Sequence, residues 1–249
     1  MTETHKDNNS AQVMTYLSLF NEIDKHFDKL LKTEAFLPYN DKLKQIISGQ
    51  FPVSRYVRLF QNDLKYFGEL RNHISHGLKM GEVMYAIPTQ KAIDKLQEFV
   101  DNIVNPPLCI QFFKKDVDNI QLVDTVFSLL QKFKETHYSS MPVYDGVKFL
   151  GVITERGLLH WVSQQVMQEN FINLAKLPVS EVPIFSEKND FVFVSTEINI
   201  YQADEIFTKR RRSGRGLDVM FITQNGRSDE DIVGIVWDKD VALIDDFVV

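Results

Sequence analysis

The chain has 249 residues, of which 44% are hydrophobic and 25% charged, the balance of a globular protein with one large or two ordinary domains. This much apolar material excludes wholesale disorder. The net charge of −6 disfavours a general nucleic-acid coat protein. Cys109 is the only cysteine, which excludes an intrachain disulfide and a cysteine-based zinc site. No apolar run is as long as a membrane span and the start MTETHKDNNS does not resemble a signal peptide, so we expect a cytoplasmic protein with no membrane partner.

Residues 1–105 predict a bundle of about four helices. Apolar side chains recur at helical spacing in four stretches, at about 11–33, 38–47, 52–77 and 88–103. Asn105-Pro106-Pro107 ends the last of them, because proline lacks an amide and disfavours helix before itself. We therefore expect an all-helical domain over 1–105.

After the prolines the sequence pattern changes from helices alone to alternating strands and helices, and this pattern occurs twice. Short β-branched and aromatic runs at 141–144, 149–153, 191–194, 219–222 and 232–236 predict strands, with helical patterns at about 122–134, 155–169 and 199–211. Asp145-Gly146 and Asn225-Gly226 are turn pairs of the kind that join antiparallel strands. The run from Phe149 aligns with the run from Ile232, which places Gly151 and Gly234 in register. A duplicated unit of this size is expected to pack its two copies face to face, with a cleft between them.

The segment 110–249 resembles a tandem pair of CBS domains (a Bateman module). The best-fitting stretch is His137-Tyr-Ser-Ser-Met-Pro-Val-Tyr-Asp-Gly-Val-Lys-Phe-Leu-Gly-Val-Ile-Thr154, and the second copy is more divergent. The fold class expected from both halves of the chain is α+β. A helical bundle would be followed by two pseudo-symmetric β-α-β-β-α units.

The resemblance implies a regulatory adenine nucleotide, or a relative such as a cyclic dinucleotide or S-adenosylmethionine, bound in a cleft between the copies. In that family a Ser or Thr at a strand end bonds ribose or phosphate, and an Asp three residues later holds the ribose hydroxyls. Here Thr154 is followed by Gly157, and Asp240 is preceded by Trp237, so each copy has half of the motif. We favour the cleft with Asp240, where Trp237 would stack on the base. The alternative is that both clefts are degenerate and Asp240 only caps a helix.

The charge distribution points to a second feature of the same copy. Residues 1–105 carry 13 basic and 13 acidic side chains, whereas residues 106–249 carry 15 and 21. Within this acidic half, Lys209–Arg212 and Arg215 form a concentrated basic run. The resemblance places it where the first copy has His137, from which cations in some family members reach the ligand's phosphates. Arg212 and Arg215 are therefore candidate phosphate ligands, and the other interpretation is a solvated helix end.

The helical half contains Leu70-Arg-Asn-His-Ile-Ser-His-Gly77, which resembles the Arg-polar-x-x-x-His signature of HEPN domains. These are helical bundles that often dimerise and include metal-independent ribonucleases. The resemblance implies Arg71 for phosphate charge, Asn72 as an orienting residue and His76 as base. At 100° per residue Arg71 and His76 lie 140° apart on the helix, and the neutral bundle has no basic stripe to hold RNA. Catalysis is therefore the alternative, and a packing or dimerisation role is favoured.

The function expected from these features is regulatory sensing of an adenine nucleotide or cyclic dinucleotide, signalled to the helical half or to a partner. A ligand-controlled ribonuclease and a dimerisation scaffold with degenerate clefts are the alternatives. We expect a homodimer, no required cofactor and no metal site. An RNA contact is left open but is not favoured.

Overall fold

The computed structural model describes residues 3–33, 35–79, 86–168, 173–184, 191–214 and 216–241, with the side chains of all of these except 3–8, 76–79 and 241. The chain divides into two compact units, residues 1–107 and 108–249. The first is helical and is called the helical unit below. The second contains both sheets and is called the repeat unit.

Amphipathic helices account for the regular structure described in the helical unit. They are α1 (Glu3–Leu31), α2 (Tyr39–Ser48), α3 (Ser54–Leu59), α4 (Gln61–Lys79) and α5 (Gln90–Ile103). The buried faces of α1 and α5 pack on each other, with Phe20, Phe27, Leu96 and Phe99 almost fully enclosed. The one long helix predicted over 52–77 is instead two helices, because the chain turns at Phe60.

Each half of the repeat unit contains the same small sheet. The first repeat comprises β1 (Ile120–Gln121), α7 (Val126–Thr136), β2 (Ser140–Asp145), β3 (Lys148–Thr154) and α8 (Glu155–Met167), after a short helix α6 (Ile110–Phe113). The second comprises β4 (Phe191–Ser195), α9 (Ile200–Arg212), β5 (Val219–Thr223), β6 (Gly234–Trp237) and α10 (Asp238–Val241). In both sheets the first strand is parallel to the second, and the second is antiparallel to the third. The predicted duplication and the α+β class are confirmed.

The two repeats share one hydrophobic core. The ring of Phe149 in β3 lies 5.3 Å from that of Phe191, 5.0 Å from that of Phe193 and 5.9 Å from that of Phe221, all in the second repeat. These distances fall within the usual range of aromatic pairs. A large part of the core is therefore built from side chains of both copies.

The segment after α6 pairs with the chain at the start of the edge strand β6. Lys114 forms an isolated antiparallel bridge with Gly234, and the Lys115 amide donates to the Val233 carbonyl at 3.1 Å. A Cβ added at position 234 would come within 2.6 Å of the Phe113 carbonyl oxygen, a distance that real Cβ atoms do not tolerate. Gly234 is therefore required by this close approach of two backbones.

The connection between β5 and β6 is longer than the one between β2 and β3. Asp145-Gly146 begins a short hairpin turn in the first repeat, but Asn225-Gly226 begins a loop that lasts until β6 starts at Gly234. The Glu230 carboxylate accepts hydrogen bonds from the Asn225 amide at 2.7 Å and from its side-chain nitrogen at 2.6 Å. These bonds fold the loop back on itself. Asn225-Gly226 joins two adjacent antiparallel strands, as predicted, but through a longer loop than Asp145-Gly146.

Candidate functional site

The candidate site lies where β6 ends and α10 begins. Trp237 closes the strand and Asp240 lies in the first turn of the helix. One carboxylate oxygen of Asp240 accepts the Trp237 amide at 2.9 Å, which satisfies one of the free N–H groups at a helix start. Among the described residues, the other oxygen receives no hydrogen bond. Asp240 therefore caps its helix and keeps one oxygen for a further donor.

Trp237 is packed inside the repeat unit. Only 8% of it is exposed, and its ring lies 4.8 Å from that of Tyr138 in the first repeat. The Nζ atoms of Lys115 and Lys239 lie 5.8 and 5.3 Å from the indole, and Lys115 also lies 4.6 Å from the Tyr138 ring. Rings and lysines of the chain itself already occupy the surroundings of the indole. A base can stack on it only if one of the lysine side chains moves aside.

Three buried polar groups, two of them on this aromatic pair and one two residues after Tyr138 in the chain, have no hydrogen-bond partner in the described part of the chain. They are the Tyr138 hydroxyl, the Ser140 hydroxyl and the Trp237 indole N–H. Tyr138 and Ser140 are 1% and 0% exposed. An unsatisfied buried donor costs about 1–3 kcal/mol, so a ligand that accepts a hydrogen bond from any of these groups would be favoured. Together with two lysine ammonium groups, they are suited to an anionic or hydroxyl-bearing ligand.

The basic end of α9 lies beside the start of α10. Arg211 Nε is 3.7 Å from Asp238 Oδ1, and Lys209 pairs with Glu205 at 2.7 Å on its own helix. Arg212 is exposed at the last helical position. Arg215 lies outside the described residues. The structure thus brings the basic run to the same end of the second repeat as Trp237 and Asp240.

In the first repeat the corresponding residues serve local structure. The Thr154 hydroxyl accepts the Gly157 amide at 2.9 Å and caps α8. His137 adopts a left-handed backbone (φ 56°) directly after α7 and is exposed. Its amide closes that helix by donating to the Phe133 carbonyl at 3.0 Å. Thr154 is thus occupied as a helix cap, while His137 terminates a helix.

Of the three residues considered for catalysis in the helical unit, the structure describes the side chains of two. The Arg71 guanidinium lies 5.7 Å from the centre of the Phe20 ring and donates to Asn72 Oδ1 at 3.1 Å. Asn72 is exposed, and the side chain of His76 lies outside the described residues. Arg71 is therefore engaged by its own bundle.

The geometry agrees with what comparison with known proteins finds. The family model of the CBS domain matches residues 112–164. Residues 112–164 are a CBS domain. The second repeat has the same strand order and directions, so the repeat unit is a tandem pair of CBS folds.

Several solved structures are similar to part of this chain. A CBS-domain-containing membrane protein from Sphaerobacter thermophilus is 18% identical, over 61% of this chain and 96% of that one, with a TM-score of 0.42. A protein named for acetoin utilization (AcuB) from Vibrio cholerae is 14% identical over 57% of this chain and 93% of that one, with a TM-score of 0.43. CBSX2 in complex with AMP is 14% identical over 57% of this chain and 97% of that one, with a TM-score of 0.40. Among curated proteins, none is similar enough in sequence to count as a match.

Four residues of the candidate site were missed by sequence reasoning: Lys115, Tyr138, Ser140 and Lys239. Ser140 carried a usable signal, because it is a hydroxyl residue at the start of an apolar strand. The structure pairs it with Thr154. Lys115 carried none, since its position depends on the pairing of the segment after α6 with the start of β6.

The described residues contain no group of three or more His, Cys, Asp and Glu side chains arranged to hold a metal ion. None of the helices found there is long and apolar enough to cross a bilayer.

Proposed function

We propose that the CBS pair is a regulatory sensor of an anionic adenine nucleotide or cyclic dinucleotide, bound beside Trp237 and Asp240. The observation that carries the proposal is the group of three buried polar groups, from Tyr138, Ser140 and Trp237, that lack partners among the described residues. A ligand that accepts these hydrogen bonds removes an energetic cost of the unliganded protein.

The charges around the group favour phosphate. Lys115 and Lys239 bring two ammonium groups to the same indole, and the basic end of α9, including Arg212, lies beside α10. In this proposal the lysines bind phosphate oxygens, and the second oxygen of Asp240 accepts a ribose hydroxyl. Arg215 remains a proposed phosphate ligand on the basis of the sequence.

Signalling follows from the position of Trp237 between the repeats. A ligand that draws the lysines away from the indole changes the packing of Trp237 on Tyr138, and therefore the contact between the two copies. We propose that this change is passed to the helical half or to a partner protein. Because Trp237 is one of two tryptophans in the chain, the change is accessible to fluorescence.

The test is a titration of the full chain with AMP, ATP, a cyclic dinucleotide and S-adenosylmethionine, followed by calorimetry and tryptophan fluorescence. We expect a phosphate-bearing nucleotide to bind. At one hundred times its dissociation constant it should raise stability by about 2.7 kcal/mol. Lys115→Met should weaken binding at least tenfold. Lys114→Met is the matched control, because the contact described for this exposed neighbour is a backbone bridge, and it should bind as the wild type does.

Two results would contradict the proposal. One is that none of the nucleotides changes stability or fluorescence. The other is that Lys114→Met and Lys115→Met weaken binding equally, since a general charge effect and not the described site would then be responsible.

For the helical half we propose a role in packing or dimerisation without catalysis, as in those HEPN-like bundles that are not ribonucleases. The engagement of Arg71 with Phe20 and Asn72 supports this role. The wild type should leave a generic RNA intact. Cleavage that persists in chelator and disappears in His76→Ala would instead establish the ribonuclease alternative.

A further inference from the structure

A groove of about 810 Å³ lies between the two repeats at the hairpin end of the repeat unit. It is bounded by the tip of the β2–β3 hairpin, by the long loop before β6 and by the linker at 116–121. Its apolar part includes Tyr144, Phe149 and Ile232. This is the opposite end of the sheets from Trp237, as the register of β5 and β6 requires.

Carboxylates dominate the polar lining of the groove. Asp116 and Asp231 are exposed and form no ion pair with another described residue. Glu230 holds the loop, and Asp229 binds Arg227 with Nε and Oδ1 2.9 Å apart. Lys148 is the only cation in the described lining. Carboxylates above aromatic rings favour arginine, whose planar guanidinium pairs with carboxylates and stacks on rings while its stem covers apolar surface.

An arginine-rich segment is present in the chain itself, at the basic end of α9. Arg210 and Arg212 form no ion pair with other described residues, whereas Lys209 and Arg211 are paired. This end adjoins the Trp237 end of β6, because Arg211 lies beside Asp238. The acidic groove is at the other end of β5, which is five residues long and spans roughly 13 Å at the usual rise per residue. The basic end therefore cannot reach the groove of its own copy.

We infer that the acidic groove receives the basic end of α9 from a second copy of the chain. A unit with a basic and an acidic end is complementary to itself when two copies lie antiparallel, since each end then meets its opposite twice around a two-fold axis. The inference gives the expected homodimer a defined surface. The groove lies away from the proposed ligand, but Arg212 belongs to both proposals, so association is measured without added nucleotide.

The test is charge reversal in the full chain, with mass measured by light scattering and sedimentation. Asp116→Lys/Asp231→Lys reverses the groove without touching the bonds of Glu230. Arg210→Glu/Arg212→Glu reverses the basic end and leaves both described ion pairs of α9 intact. Each double variant alone should associate at least tenfold more weakly than the wild type at about 50 mM salt. The wild-type dimer should also weaken at about 500 mM salt, where exposed charges are screened.

Mixing the two double variants provides the decisive result. Their ends are again complementary, so a heterodimer of wild-type affinity should form. Asp94→Lys/Asp101→Lys on α5 reverses two exposed charges elsewhere and should not change the association. Circular dichroism and melting temperature establish that each variant is folded.

Four results would overturn the inference. They are a monomeric wild type at low salt, a dimer insensitive to both reversals, variants that dissociate but fail to recover on mixing, and a monomer that binds a polyarginine peptide in the groove. The last would assign the groove to a different basic partner.

Discussion

Lys42 is a charged side chain that the helical unit has almost completely enclosed. It is 3% exposed, and its ammonium donates to Asp24 at 2.8 Å and Asp28 at 2.7 Å. Both acceptors lie on α1, so the ion triplet ties α2 to α1. Burial lowers the pKa of Lys42, but the hydrogen bonds to the two carboxylates outweigh it and raise the pKa above its usual value. The charge is therefore retained and is part of the packing.

Removing this amine should destabilise the bundle. Lys42→Ala leaves Asp24 and Asp28 facing each other without a cation, and we expect a loss of about 2–3 kcal/mol in urea unfolding, at the low end for a buried pair because Asp28 is partly exposed. Lys44→Ala is the matched control on the same helix. Its side chain is 78% exposed and pairs with Asp41 at 3.3 Å, so its loss should cost less than about 0.5 kcal/mol. Equal effects of the two substitutions would show that the buried triplet does not stabilise the bundle.

At the candidate site, sequence reasoning identified individual residues but not their surroundings. Trp237 and Asp240 were selected from their spacing, and the structure links them by a hydrogen bond. The prediction that Trp237 is open to a base did not anticipate Tyr138. That residue lies 99 positions earlier in the chain, and its contact depends on the packing of one repeat against the other. Periodicity along a chain contains no information about such a contact.

At the scale of elements, the spacing that the CBS resemblance assigns to ligand binding is also the spacing of a helix cap. Thr154 at a strand end reaches the amide three residues later, and Asp240 reaches back over three residues to Trp237. Each repeat therefore uses its half of the motif to begin a helix. Spacing alone cannot separate the two roles, because N-cap geometry and ligand geometry share this separation.

The cap on α8 gives a direct prediction. Thr154→Ala removes the acceptor of the Gly157 amide, and we expect a loss of about 1 kcal/mol in the free energy of unfolding. Thr154→Ser retains the hydroxyl and should keep most of that stability. If alanine and serine behave alike in chemical denaturation, the hydroxyl does not cap the helix.

The loop before β6 should respond to acid. Hydrogen bonds from Asn225 lower the pKa of Glu230 to about 2, and the bond from the Asn225 side chain contributes more than the bond from its backbone amide. Because this folded value lies below the unfolded one, near 4.3, the stabilisation is complete above the unfolded pKa. It is lost as the pH falls through the folded pKa. We expect Glu230→Gln to reduce the fall in urea midpoint between about pH 5 and pH 2. The control is Glu181→Gln, at an exposed carboxylate outside this loop, which should show the same fall in midpoint as the wild type. An unchanged acid profile in Glu230→Gln would contradict this role.

For the same loop, the sequence contained the turn signal and, from the strand patterns at 219–222 and 232–236, its approximate extent, but not the side chain that closes it. Asn225-Gly226 does begin a turn, and Gly226 has a positive φ of 79°, the conformation that favours glycine. What prolongs the loop is the carboxylate of Glu230, five residues after Asn225. A local propensity identifies where the backbone turns, at Gly226. The conformation of the rest of the loop depends on the hydrogen bonds between Glu230 and Asn225.

At the scale of the whole molecule, the duplication was readable because Gly151 and Gly234 share a position in two similar strands. The separation of charge was not readable. Asp231 and Arg212 lie 19 positions apart in the sequence, but at opposite ends of the second sheet, because β5 and β6 run antiparallel between them. The sequence shows two charged stretches, but only the register of these strands shows that they lie at opposite ends of the repeat unit.

The shared core predicts that the two repeats unfold together. Phe149 contributes one ring from the first repeat to three rings of the second, so Phe149→Ala removes contacts between the copies. We expect a loss of about 2–3 kcal/mol, below the value for a fully buried phenylalanine because Phe149 is only partly enclosed.

The two tryptophans of the chain lie in different repeats and report on each repeat separately. Trp161→Phe leaves Trp237 as the reporter of the second repeat, and Trp237→Phe leaves Trp161 as the reporter of the first. Their urea transitions should coincide in the otherwise wild-type chain and separate when Phe149→Ala is added. Phe36→Ala, at a side chain that is 91% exposed in the helical unit, should leave them coincident. Coincident transitions in Phe149→Ala would mean that the remaining shared core is enough to make the pair one cooperative unit.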